Sequence, residues 1–252
     1  SAACAREIIA TWAKLCTQNH TKPPPTETKA KPRLAYVSPL PPERTGIADY
    51  SAELIPFLSE HYEIIVISDQ KSITDPWIEQ HCEHHDSQWL RANKTTVDRV
   101  LYHLGNSDFH KHMPSLLEDV PGVVVLHDFY LSGLYAWIEC VDRKLPVWTR
   151  AIYEAHGYKA LVQRFNDPEA AQRDYPVCFD IISRALGVIV HSEYSRTLAR
   201  TWYPEIDSED WERIPLLRVP APDFDRAEAR RRLDLPQETF IVCSFGFLGE
   251  TK

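Results

Sequence analysis

Four short apolar runs in this sequence end abruptly in small or polar residues. Leu34 to Val37 ends in Ser38, Arg99 to Leu104 in Gly105-Asn106, Gly122 to Leu126 in His127-Asp128, and Gly187 to Val190 in His191-Ser192. Between them these endings carry two hydroxyls, an amide, two imidazoles and a carboxylate. Recognition of a polyol or sugar uses that mixture of donors and acceptors. A nucleophilic triad is not indicated, because the chain has no Gly-x-Ser-x-Gly elbow. Each residue also has a plainer reading. His127 fits a satisfied strand-end histidine, Asp128 a cap for a helix at 129, Asn106 a turn residue, and His191-Ser192 a turn and cap. Their coincidence at one edge of a sheet favours a site.

A second stretch with chemical potential runs from Arg33 to Tyr50. Pro39, Pro41 and Pro42 stop the strand ladder, since proline has no N–H to give. Gly46 then opens an amphipathic segment, Ile47 to Ser59, with Ile47, Tyr50, Leu54, Phe57 and Leu58 at helical spacing. In an open α/β sheet, ligands collect where a strand hands over to a helix. A helix N-terminus with a bare glycine admits an anion such as a diphosphate. The loop lacks both the three-glycine dinucleotide fingerprint and the Gly-Lys-Ser/Thr of a phosphate-loop ATPase. The plainer reading is that Gly46 merely starts a helix.

His81-Cys-Glu-His-His-Asp presents imidazole, thiolate and carboxylate together, a set that suits a transition metal. No four-ligand spacing is fixed there, and a solvated face explains the same residues, so no metal site is assigned. The six cysteines stand at 4, 16, 82, 140, 178 and 243, with no CxxC pair. That scatter fits reduced, buried thiols in a cytosolic protein.

The elements that must position these residues alternate strand and helix. Glu63 to Ile67 is the second strand; its nearly continuous β-branched run suits a parallel sheet covered on both faces. Strand, helix and strand then form a right-handed crossover. Residues 68 to 98 read as polar and irregular. Residues 107 to 119 suit a helix capped by Ser107, and Phe129 to Val141 is a helix-compatible apolar run. Residues 145 to 186 look helical, with Pro146, Pro168 and Pro176 near segment starts. Ser192 is expected to cap a helix over 193 to 202. A short strand over 212 to 217, a linker with Pro220 and Pro222, a basic helix from Ala227 to Leu233 and a strand from Thr239 to Ser244 follow. The expected organisation is a leading helix and proline-rich linker over 1–31, an α/β domain with helices on both faces of a parallel sheet over 32–220, and a linker with the first strand of a second domain over 221–252.

A net charge of -8 argues against a basic surface for nucleic acid. No apolar run approaches the length of a membrane span, and no signal peptide is expected at the start.

Pro39 to Glu53, taken with Leu101 to His112, Val124 to Phe129, Val188 to Arg196 and Phe245 to Lys252, resembles the GT-B-fold retaining glycosyltransferases. The group in question contains sucrose synthases and mannosyltransferases of cell-envelope glycans, and the resemblance runs from about residue 32 to residue 252. It implies two Rossmann-like domains facing across a cleft, the first mostly for acceptor and the second for most of the nucleotide-sugar donor. Gly46 would belong to the glycine loop meeting the donor phosphates. His127 would be the strand-end histidine that contacts the donor sugar near the reacting carbon. His191 and Ser192 would form the strand-to-helix turn on the donor side, and Lys252 would neutralise the leaving diphosphate. Asp49, Asn106 and Asp128 would lie around the acceptor mouth. The chain departs from the pattern in three places: Thr45 precedes a single glycine, Phe247 follows Gly246 where an arginine is common, and the Glu-x7-Glu pair of the second domain is missing.

The resemblance therefore implies the N-terminal part of a cytoplasmic enzyme that moves a sugar, with retention, from a nucleotide-diphosphate-sugar donor to a glycan or lipid-linked acceptor, without cofactor or metal. The chain alone is expected to be inactive. Residues 4 to 16 resemble the closing helix of another such enzyme, which points to a longer tandem protein. The rival is a non-catalytic carbohydrate- or partner-binding module. A nucleotide-dependent oxidoreductase is disfavoured by the absent glycine fingerprint.

Overall fold

The computed structural model describes residues 30–142, 146–216, 218–219 and 223–243. The chain divides into two units, one ending at Arg218 and one beginning at Val219.

The first unit is a parallel sheet threaded by helices. Its strands are β1 (Arg33–Val37), β2 (Glu63–Ile67), β3 (Glu83–His85), β4 (Arg99–Leu104), β5 (Val123–Leu126), β6 (Gly187–Val190) and β7 (Glu212–Arg213). They lie in the order β3-β2-β1-β4-β5-β6-β7, and every neighbouring pair is parallel. The order reverses direction between β1 and β4, which is the point where a doubly wound sheet opens a crevice at its carboxyl edge. The fold class expected from the sequence, a Rossmann-like α/β sheet, is the one found.

Alternation along the strands sorts the core into two layers. Ala35, Val37, Ile65, Ile67, Tyr102, Leu104, Val124, Leu126, Val188 and Val190 face one side. Leu34, Tyr36, Ile64, Val66, Leu101, Val125 and Ile189 face the other. Helix α1 (Gly46–Leu58) covers the second face with Tyr50, Leu54, Ile55 and Leu58. It starts where Thr45 accepts from the Ile47 N–H.

Residues 68 to 98 differ from expectation. They hold α2 (Pro76–His81), β3, α3 (Ser87–Asn93) and a 3-10 turn. The polar residues that suggest irregularity are helix caps. Asp75 accepts from the N–H groups of Trp77 and Ile78 at 3.0 and 2.9 Å, and Asp86 from Trp89 at 2.7 Å. The expected helix over 107–119 is also broken. A 3-10 turn spans Asp108–His110 and α4 spans Met113–Asp119, because Pro114 cannot donate within a helix that runs through it. Ser107 caps neither piece with its side chain.

Among the described residues four helices lie between β5 and β6: α5 (Ser132–Cys140), α6 (Val147–Asn166), α7 (Pro168–Asp174) and α8 (Phe179–Arg184). Helix α6 breaks at Gly157, whose φ of 73° is a conformation glycine adopts without strain. Helix α9 (Glu193–Trp202) follows β6; Ser192 takes its N-cap position in extended geometry, but its hydroxyl accepts nothing from the helix. The final strand is shorter than expected, two residues in place of six. Beyond it, Arg218 forks onto both carboxylate oxygens of Glu53 on α1.

In the second unit α10 (Arg226–Arg232) is capped by Asp225. Residues 239–243 form no strand, and Phe240 and Val242 are 88% and 82% exposed, because no strand among the described residues offers them a ladder. Residue 244 lies outside the described residues, as does the leading segment 1–29. No described helix is long and apolar enough to cross a membrane.

Tight packing before β5 gives a direct test of the register. A methyl group on Gly122 would lie 2.6 Å from the Val100 carbonyl oxygen and 2.9 Å from Val100 Cβ. The main chain of a central strand cannot yield, so Gly122→Ala is expected to cost roughly 1–3 kcal/mol, read as a lower urea midpoint. An unchanged midpoint would show that β4 and β5 approach less closely than described.

Candidate functional site

The carboxyl ends of β1, β4, β5 and β6 lie side by side, so their endings share one edge. Gly46 opens α1 after β1. It is exposed, and a methyl group placed on it would meet nothing within 4 Å. Beside it Arg44 is exposed and forms no ion pair among the described residues. Asp49, in the first turn of α1, is also exposed.

The loops after β4 and β5 are sewn together. The Asn106 N–H donates to Asp128 Oδ2 at 2.9 Å, and the His127 N–H donates to the Leu104 carbonyl at 2.9 Å. Asn106 Oδ1 in turn accepts from the Leu134 N–H at 2.8 Å, so a residue from another loop caps α5. Asp128 thus braces the Asn106 turn and makes no cap for its own helix. The β4 ending is pinched: a methyl on Gly105 would lie 2.5 Å from Ile47 Cδ1, 3.0 Å from His110 Nε2 and 3.1 Å from Asp128 Oδ2. The first turn of α1 therefore presses on the β4 and β5 endings.

Three imidazoles run across the edge. His103 Nδ1 lies 3.0 Å from His127 Nε2, and His127 Nδ1 lies 3.1 Å from His191 Nε2. His191 Nδ1 lies 2.8 Å from the Ile214 carbonyl oxygen, just past β7. Tyr50 from α1 packs on all three rings, with centroids 5.2–5.7 Å away. Tyr36 from β1 stacks on His103 at 4.6 Å. Burial, with the neighbouring imidazoles in support, holds His103 and His127 well below the usual histidine range. Burial also lowers His191, against the bond to Ile214, and pushes His110 down to about 3. Tyr50 is pushed up to about 12 by the same cause. The group is a set of neutral rings packed against Tyr50 and Tyr36.

Among the residues expected at a site, His127 and His191 come into direct contact, as do Asn106 and Asp128. Gly46, Asp49 and Ser192 sit exposed at the same edge without bonding to that network. Lys252, like Gly246 and Phe247, lies outside the described residues. Sequence reasoning passed over His103. It sits on the face of β4 that α1 covers, in phase with Leu101, and it is fully buried. An imidazole at the fifth position of Arg-Val-Leu-Tyr-His-Leu was the available signal. Among the described residues no group of three histidine, cysteine or acidic side chains is placed to hold a metal ion. The His81 to Asp86 cluster disperses into local contacts. His81 and His85 stack on Trp77 and Trp89, while His84 Nε2 lies 3.2 Å from the Ser68 carbonyl.

No protein-family model matches the chain, and no curated protein matches it. Among solved structures it is similar to an alpha-glucosyltransferase in complex with UDP-glucose and DNA containing an abasic site. The identity is 14% and the TM-score 0.37, over 81% of this chain and 45% of that one. The chain thus spans less than half the length of that structure.

Proposed function

We propose that the chain is the acceptor-side part of a GT-B glycosyltransferase that moves a sugar, with retention, from a nucleotide-diphosphate-sugar donor to a glycan or other acceptor. The observation that carries this reading is the start of α1. An open Gly46 and an exposed Arg44 follow β1, beside the point where the strand order reverses and on the edge that carries the polar strand endings. A helix N-terminus and a cation favour a diphosphate, and they favour it more as charge builds on the leaving oxygen.

In this reading Gly46, His191, Ser192 and Lys252 serve the donor. Asp49, Asn106 and Asp128 serve the acceptor, with the Asn106 amide nitrogen free to donate. His127 meets the donor sugar with its main chain and ring edge, since its two ring nitrogens already face other imidazoles. The second reading, a carbohydrate-binding module without catalysis, draws on the same fact: that trio offers no acid or base at the crevice.

Titration of the isotope-labelled chain with oligosaccharides and with nucleoside diphosphates tests the assignment. Oligosaccharide is expected to move the amide signals of Asp49, Asn106 and Asp128. Nucleoside diphosphate is expected to bind weakly at the Gly46 turn, and Gly46→Asp to weaken it roughly tenfold further by opposing charge. Tight nucleotide binding by this chain would mean that the donor site is misplaced. Silence of all three acceptor residues would remove the acceptor assignment.

A further inference from the structure

The contacts among the three strand-end imidazoles determine where every proton lies. A carbonyl oxygen only accepts, so the 2.8 Å contact with Ile214 places a proton on His191 Nδ1. A neutral imidazole has one N–H, which leaves His191 Nε2 bare. The proton shared at 3.1 Å therefore belongs to His127 Nδ1. The same step makes His127 Nε2 bare and puts a proton on His103 Nδ1, 3.0 Å away. The sequence ends on a bare His103 Nε2, which is buried and has no partner.

The opposite order fails on cost. It requires His191 to be doubly protonated, and it ends with an N–H at His103 Nε2 buried against nothing. No carboxylate bonds to any of the three rings among the described residues. Their other polar neighbours are Tyr36 from β1, Tyr50 from α1 and the nearby His110. A buried, unpaired cation and an orphaned donor each cost several times a normal hydrogen bond.

We propose that His103, His127 and His191 form a proton-ordered chain rooted on the Ile214 carbonyl, with every ring protonated at Nδ1, and that His103 and His191 are positioning residues that leave His127 no ring nitrogen to offer a ligand. The order also ties β7, the last strand of the sheet, to the ends of β4 and β5. Only the remark about a ligand rests on the glycosyl-transfer reading; the proton order stands without it.

Ring nitrogen shifts of the 15N-labelled chain at about pH 7.5 decide the matter, with no ligand present. Histidine side chains free in water favour the Nε2–H form. All three rings are expected in the Nδ1–H form instead. His191→Phe removes the root, and His103 and His127 are expected to lose their Nδ1–H preference. His191→Gln supplies one amide donor for Ile214 and one oxygen for His127, and it is expected to preserve the preference. A proton on Nε2 of any of the three rings, or a doubly protonated ring, overturns the proposal. So does a natively folded His191→Phe with unchanged signals. If that variant does not fold, His191→Gln decides: loss of the Nδ1–H form in a folded chain refutes the order. A failed oligosaccharide titration with these tautomers intact would refute the functional reading alone.

Discussion

The urea midpoint of this chain should fall steeply as the solution is taken from about pH 7 to about pH 5. His103 and His110 are fully buried, and their folded forms resist protonation. The unfolded chain takes up protons below about pH 6.5, whereas the folded chain does not. Stability is therefore intact above that pH and drains away as the pH falls toward the depressed folded values. Each fully buried neutral histidine loses about 1.4 kcal/mol per pH unit in that window, so two of them lose about 4 kcal/mol by pH 5. His127, depressed like His103, and His156, held at about 4 by burial, act in the same direction over this window, as does His191. A domain has only about 5–15 kcal/mol in total. Below about pH 4.5 Asp69 acts in the same direction. Burial pushes its carboxyl up, but bonds from the Ser87 main chain and hydroxyl and the charges of His112 and Arg91 outweigh that and hold it low. A flat midpoint between pH 7 and pH 5 would mean that these rings are wet or already charged.

The second large effect is expected at the joint between α5 and α6. Glu139 accepts from the Thr149 N–H at 2.9 Å, from the Thr149 hydroxyl at 2.7 Å, and from Arg164. The two charged side chains are only 12% and 13% exposed. The guanidinium lies over Trp148 and Phe165, with 4.8 and 4.6 Å to the ring centroids. Burial raises the Glu139 carboxyl, but the two bonds from Thr149 and the charge of Arg164 more than offset it and hold it below its ordinary value. Glu139→Ala strands an enclosed cation and should cost about 3–5 kcal/mol. Glu139→Leu combined with Arg164→Met should recover most of that loss, because neither charge is then buried. A double-mutant cycle in urea measures both. A single-variant loss below about 1 kcal/mol would place the pair with ordinary surface ion pairs.

Much of the sheet was legible in the sequence. Glu63–Ile67, Arg99–Leu104 and Gly187–Val190 are continuous apolar or β-branched runs between turn signals, and their ends fall where expected. The failures have local causes. Asp75 and Asp86 look like loop residues until a helix follows each of them. Pro114 divides a segment whose apolar spacing otherwise suits a single helix. The stretch from Thr239 has strand composition, but a strand needs a partner, and composition carries no information about partners. The candidate site was legible only by edge. Its endings were placed together because parallel strands point the same way. The contact of His103 with His127 depends on register, since His103 pairs with Val125 across β4 and β5. That register decides which ring faces which, and a linear pattern does not contain it.

The fork from Arg218 to Glu53 has a consequence for how the chain leaves the first unit. Its ends are about half and one-third exposed, so it adds little to stability. Its effect is geometric. It holds the Arg218 side chain, beyond β7, against the helix that begins at Gly46. Arg218 is thereby shielded as a cleavage point, so Glu53→Gln is expected to speed tryptic cutting after Arg218 in the native chain, and an unchanged rate would show that the fork does not guard it.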